Sequence, residues 1–169
     1  MKIKVIFLDF DGVINGSDPT PNASFGEGWP FTHIEASLVE KINKIVETVE
    51  AQDAEQGIKT KIVISSSWRI RFSLNELRDM LQIKGLRADV IDITPRIHPR
   101  KFSEHVPRGQ EIQSWLNSCQ ADCYYSVVKF VILDDISDMI HLTPYLIETD
   151  DRTGITDSDV ERAIELLKG

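Results

Sequence analysis

The chain has 169 residues and a formal charge of -8, from 19 Lys+Arg against 27 Asp+Glu. Hydrophobic residues make up 41% and charged residues 27%, which excludes a disordered or collagen-like polymer and leaves room for one domain with a real core. The acidic excess argues against coating nucleic acid by broad charge neutralisation, though not against gripping a single phosphate.

In chain order, the segment Met1-Lys2-Ile3-Lys4 starts like a signal peptide, but its apolar run stops at Asp9 and no small-residue cleavage site follows. No stretch reaches the roughly 18 apolar residues of a membrane span. The expectation is a cytoplasmic domain with no membrane contact. Five continuous apolar runs read as buried parallel strands: Ile3–Leu8, Lys61–Ile64, Ala88–Ile93, Val127–Leu133 and Tyr145–Ile147. Between them lie helical patterns. Ile34, Leu38, Ile42, Ile45 and Val49 repeat at helical spacing. Ser73-Leu74-Asn75-Glu76 is a capping box for a helix through Ile83, with Gly85 placed to end it. A third helix runs from Arg108 to Leu116, and a last one opens near the capping box Thr156-Asp157-Ser158-Asp159.

Strands alternating with helices predict an α/β fold, a Rossmann-like three-layer sandwich with a mainly parallel five-stranded sheet. One domain over residues 1–169 is expected. Residues 16–33, carrying Pro19, Pro21, Gly26, Gly28 and Pro30, are too long for a simple strand-to-helix turn and read as a flap or minimal cap. Its aromatics Phe25, Trp29 and Phe31 read as sealing that flap onto the core, with base stacking as the alternative. Cys119 and Cys123, without a neighbouring His or Cys, fit neither a disulfide framework nor zinc spacing.

Folds of this class bind ligands beyond the carboxyl ends of their strands. There the first strand delivers Asp9-Phe10-Asp11-Gly12, the second Ser65-Ser66-Ser67-Trp68-Arg69, and the fourth Asp134-Asp135 with Asp138 close behind. Arg108 opens the helix before the fourth strand. Clustered carboxylates repel unless a cation holds them, and oxygen-only ligands favour a hard cation such as Mg²⁺. A hydroxyl and a guanidinium beside that cation make a pocket for phosphate. An ionised Asp can attack phosphorus, and a second Asp two residues on can protonate the leaving oxygen and then activate water. The residues thus point to phosphoryl transfer. Trp68 reads as packing.

Phe7-Leu8-Asp9-Phe10-Asp11-Gly12-Val13 resembles the first motif of the haloacid dehalogenase (HAD) superfamily of phosphatases. The hydroxyl after the second strand, the basic residue at a later helix start and the late acidic pair resemble its other three motifs, in order, over roughly Ile3 to Asp138. Ile64-Ser65-Ser66-Ser67-Trp68-Arg69, Arg108-Gly109-Gln110-Glu111-Ile112 and Val131-Ile132-Leu133-Asp134-Asp135 look like the HAD domains associated with RNA-repair proteins. The resemblance implies Asp9 as nucleophile, Asp11 as general acid/base, and Mg²⁺ held by Asp9, by the backbone carbonyl of Asp11 and by Asp134 or Asp135. Asp134 is the first choice because Asp134 and Asp138 reproduce a family D-x-x-x-D spacing. It further implies Ser65 or Ser66 as phosphate donor and Arg108 where the family often has Lys, while Arg69 follows as a further candidate for the substrate phosphate.

The implied substrate is a phosphorylated small molecule or a nucleic-acid end, by resemblance a nucleotide or nucleic-acid-end phosphate. Two other classes remain open: a phosphate- or metal-binding module of a repair assembly, and a phosphoacceptor regulator. A regulator of that kind would carry its acidic pair after the first strand and its phosphorylated Asp after the third, the reverse of the order here. Charge is unevenly spread. Asp134 to Glu161 holds nine acids against one base, Arg152, so the whole negative excess lies there, whereas Arg96 to Arg108 holds four bases against one acid and reads as a basic loop. That loop is a candidate rim for further phosphates.

Overall fold

β1 (Lys2–Leu8) is buried from Ile3 onward, as expected of a central strand covered on both faces. The computed structural model describes residues 1–16, 33–99, 105–121 and 124–169. The flap aromatics Phe25, Trp29 and Phe31, with Arg100, Lys101 and Cys123, lie outside those residues. Along the chain follow α1 (Ala36–Gln52), β2 (Lys59–Ile64), α2 (Leu74–Ile83), β3 (Val90–Ile93), α3 (Arg108–Ala121), β4 (Ser126–Asp134), β5 (Leu146–Glu148) and α4 (Asp157–Leu167). The five strands form one sheet in the order β3-β2-β1-β4-β5, and every pairing is parallel. The three-layer α/β expectation holds.

Alternation along the strands explains the layers. Ile6 and Leu8 of β1 join Ile62, Ile64, Val131 and Leu133 in a core with the apolar faces of α1, α2 and α4. Ile3, Val5 and Phe7 look the other way, with Val63 and Ile132, into a core completed by α3. Both anticipated capping boxes form: Ser73 with Glu76 at α2, and Thr156 with Asp159 at α4. Each fixes a helix start by satisfying otherwise orphaned backbone N–H groups. Other boundaries move. Tyr145 belongs to a 3₁₀ turn, Ile140–Tyr145, rather than to β5, and α3 extends past Leu116 to Ala121. Among the described residues no helix is long and apolar enough to cross a membrane.

Where the C-terminal end of α1 meets β1, Lys4 pairs with Asp53, the residue that caps that helix end, at 2.6 Å. Both side chains are at most 5% exposed, so each charge depends on the other. Asp53→Ala is expected to cost about 3–5 kcal/mol in urea unfolding, because it strands a buried ammonium. Lys4→Met with Asp53→Leu should stay close to the parent. A double variant as unstable as Asp53→Ala would show that packing, not charge, holds this corner.

Two features of the fold place the site. The order reverses between β1 and β4, and such a switch point leaves a crevice at the strands' carboxyl ends. The hydrogen-bond ladder also continues one residue past the strands. Asp9 N donates to Leu133 O (3.0 Å), Ser65 N to Leu8 O (3.0 Å), Thr94 N to Ile64 O (2.9 Å) and Thr149 N to Asp134 O (3.0 Å). All five strand ends are thereby held at one level, and the residues leaving them sit on a rigid rim.

Candidate active site

The turn after β1 is built around Phe10, whose carbonyl accepts from the N–H groups of Val13 (3.1 Å), Ile14 (3.0 Å) and Asn15 (3.3 Å). Gly12 closes that turn at φ +71°, and a Cβ there would lie 2.7 Å from the Asp135 side chain. Glycine is thus required twice, for the left-handed backbone and for the close approach of Asp135. Thr149 Oγ1, after β5, donates to the Gly12 carbonyl at 2.7 Å and ties this turn to the far side of the sheet.

That approach assembles the acids. Asp9, Asp134 and Asp135 each present an oxygen within 4.8 Å of the others. Asp9 and Asp134 are buried. The Phe10 N–H donates to Asp9 Oδ1 (2.7 Å), and the Ile136 N–H donates to Asp134 Oδ1 (2.9 Å). Arg108 Nη1 bridges Asp9 Oδ2 (2.5 Å) and Asp134 Oδ2 (2.9 Å). Its place at a helix N-terminus, mildly unfavourable for a cation, is offset by these two carboxylates. Burial, and next the Asp9 charge, push both Asp134 and Asp135 above the usual carboxylate range. One guanidinium beside three carboxylates leaves a formal charge of about -2 when all are ionised. With only oxygen donors present, that residue set fits a hard divalent cation.

Asp11 stands outside this cluster. Its Oδ1 accepts from Asn15 Nδ2 and its Oδ2 from the Trp68 indole N–H, both at 2.9 Å. Trp68 does pack, against Phe10 at 5.2 Å between centroids and Phe72 at 6.0 Å. Packing alone was expected of it, and the bond to Asp11 is an addition. Asn15 was missed as well. Its signal is its position four residues after Asp11 in a glycine turn, where a short amide reaches back to both the Gly12 N–H (3.0 Å) and the acid.

The serines separate. Ser66 Oγ accepts from Trp68 N (3.3 Å), capping the 3₁₀ turn Ser67–Ile70. Ser65 Oγ is fully buried at the strand end and has no hydrogen-bond partner among the described residues. Arg69 is drawn inward: Nη1 donates to the carbonyls of Ser65 and Ser66 (2.6 Å each), Nε to that of Thr94 (3.1 Å), and Nη2 pairs with Glu111. Glu111, not singled out from the sequence, also accepts from Ile97 N at 3.1 Å. Asp138 turns to the start of α3. Its Oδ2 meets His105 Nε2 (2.7 Å) and accepts from Arg108 N (3.3 Å), away from the acidic triad. Of the basic loop, residues 96–99 and 105–108 are described, and Arg96, His105 and Arg108 line one groove with Arg69.

A family model described as "HAD domain in Swiss Army Knife RNA repair proteins" matches residues 5–160. No curated protein and no solved structure matches the chain significantly.

Proposed function

This chain belongs to the family of HAD domains in Swiss Army Knife RNA repair proteins, and from that premise we propose that it is a Mg²⁺-dependent phosphomonoesterase working through an aspartyl-phosphate. Family membership implies a phosphohydrolase-type function. The observation carrying the finer reading is the gathering of Asp9 with Asp134 and Asp135, Arg108 bridging Asp9 and Asp134, with Asp11 held just outside them.

Asp9 is the nucleophile. Its carboxylate oxygen forms a bond to phosphorus while the bond to the ester oxygen breaks. Asp11, carrying a proton, gives it to that departing oxygen. Asp11 then takes a proton from water, the water oxygen bonds to phosphorus, and Asp9 is released as carboxylate with inorganic phosphate. Asp9, Asp134 and Asp135 side chains, with the Asp11 carbonyl, would hold Mg²⁺, which supplies charge neutralisation at the phosphoryl oxygens. Arg108 adds a fixed positive charge beside the nucleophile. Ser65 is the phosphate donor of choice because its hydroxyl has no partner among the described residues. Arg69 serves this arrangement by holding the Ser65 and Ser66 carbonyls, so that the turn carrying the hydroxyls cannot shift. The favoured substrate is a nucleotide or nucleic-acid-end phosphate, the substrate class suggested by the repair-protein family. Turnover screened with Mg²⁺ across nucleotides, 3′- and 5′-phosphorylated oligonucleotides and sugar phosphates tests the reading. Hydrolysis that survives chelation would overturn the metal dependence, and no hydrolysis of any member would overturn the activity.

Trp68 positions the acid. Trp68→Phe keeps the packing but removes the N–H that fixes Asp11 Oδ2. Its expected effect is a fall in kcat of about 10²-fold on alkyl phosphates, whose leaving groups need a proton. On p-nitrophenyl phosphate, whose leaving group departs as the anion, kcat should be little changed. Equal losses on both would assign Trp68 a merely structural role.

A further inference from the structure

The group that protonates the leaving oxygen must lie within hydrogen-bond reach of it, so Asp11 marks the side on which the leaving group sits. Asp11 lines a groove of about 560 Å³, within the ~300–1,000 Å³ of small-ligand sites. The other described walls are His33 and residues of the stretch from Ser67 to Phe72, which leads from β2 into α2. Asp11 is the one carboxylate among these described wall residues.

The wall chemistry selects a ligand. Ile70 is apolar and 53% exposed, which gives a flat ligand face a surface to rest on. The Trp68 and Phe72 rings line the same groove, inclined at 45° to each other. Arg71 and His33 contribute planar nitrogen groups. A sugar phosphate would need a ring of hydroxyl and amide partners for its own hydroxyls, and among the described wall residues Ser67 alone carries a hydroxyl and none a side-chain amide. A heteroaromatic base suits it, stacking on apolar and guanidinium surfaces and hydrogen-bonding at its edge. A second groove, about 470 Å³, shares Ser67 and Ile70 with the first and carries more cations, Arg69, Arg96, His105 and Arg108. There Arg69 is matched by Glu111, His105 by Asp138, and Arg108 by Asp9 and Asp134. What that groove's described lining lacks is Asp11, so a leaving group placed there would not meet the acid/base.

We propose that the groove beside Asp11 is a nucleoside subsite, holding the sugar and base attached to the departing oxygen, with Ile70 as the residue on which the base rests. The proposal rests on the reading of Asp11 as acid/base and deepens it, since it names the leaving group. Binding is measured by calorimetry with Mg²⁺ on the full chain carrying Asp9→Asn, which removes the nucleophile and so prevents consumption of the probe. The probes are adenosine 3′-monophosphate, adenosine 5′-monophosphate, glycerol 2-phosphate, a phosphoserine peptide and inorganic phosphate. At least one nucleotide should bind about tenfold or more tighter than glycerol 2-phosphate, as expected of one stacked base. Adding Ile70→Asp should erase that preference, with thermal unfolding as the check that this exposed position leaves the fold intact. The stronger of the two nucleotides identifies which strand end the site accepts. Nucleotides bound no better than glycerol 2-phosphate, a preference that survives Ile70→Asp, or a phosphoserine peptide bound as tightly would each overturn the subsite. Turnover by the unmodified chain is scored separately. Ile70-dependent nucleotide binding without turnover defeats the phosphatase reading and keeps the subsite, whereas turnover without Ile70 dependence does the reverse.

Discussion

Asp9→Asn abolishes turnover, with an expected loss on the order of 10⁴–10⁶-fold, and leaves the protein folded. The reason is chemical rather than steric. An amide of the same size can still accept the Phe10 N–H that now holds Oδ1, but its oxygen is a far weaker nucleophile toward phosphorus. Arg108 keeps Asp134 as a partner when the Asp9 charge is removed. The variant also relieves the repulsion that Asp9 exerts on Asp134 and Asp135. Without metal its thermal midpoint should therefore match or exceed that of the parent, as is common when a functional charge is removed. Steady turnover by Asp9→Asn at the parent rate would defeat the nucleophile assignment outright, and a collapsed midpoint would mean that Asp9 holds the fold together.

Asp134→Asn removes the response to Mg²⁺. A cation that binds only the native state at a hundred times its dissociation constant adds about 2.7 kcal/mol, or about 5–10 °C in Tm for a domain of this size. Asp134 is wholly buried, so a cation held by the acidic triad would meet its carboxylate shielded from solvent. A pH dependence follows. Burial and Asp9 raise the native proton affinity of Asp134 above its unfolded value. The native state then binds more protons than the unfolded one at pH values above the ordinary carboxylate range. Stability in chelator consequently falls as pH rises through that window, and saturating Mg²⁺ should flatten the slope by favouring the ionised form in both acids. Scanning calorimetry across pH, with and without Mg²⁺, measures both effects. A Tm shift with Mg²⁺ as large in Asp134→Asn as in the parent would place the cation elsewhere.

Much of the architecture is legible in the sequence because the signals are short-range. Continuous apolar runs mark buried strands, and both capping boxes mark helix starts, since each depends on residues within one turn of the other. The weaker boundaries failed where no local signal exists. Tyr145 looks like a strand residue until the 3₁₀ turn with Pro144 claims it, and α3 continues beyond its last strongly apolar position.

The site divides in the same way. Asp9, Ser65 and Asp134 are found at strand ends from sequence alone, because the residue after an apolar run is placed by the strand itself. What lies across space is not. Asp135 rather than Asp138 joins the acidic triad because Gly12 has no Cβ to keep it out. Arg69 turns to the Ser65, Ser66 and Thr94 carbonyls because Glu111, from a helix on another part of the chain, neutralises it there. Trp68 reaches Asp11 across 57 positions. The sequence by itself determined the parallel α/β fold, the strand ends that carry the acids and the order of the motifs, all set by local periodicity and capping. Only the tertiary structure decided which acids come together, which arginine faces them and which indole holds Asp11, because those depend on strand order and on close approach between residues far apart in the chain.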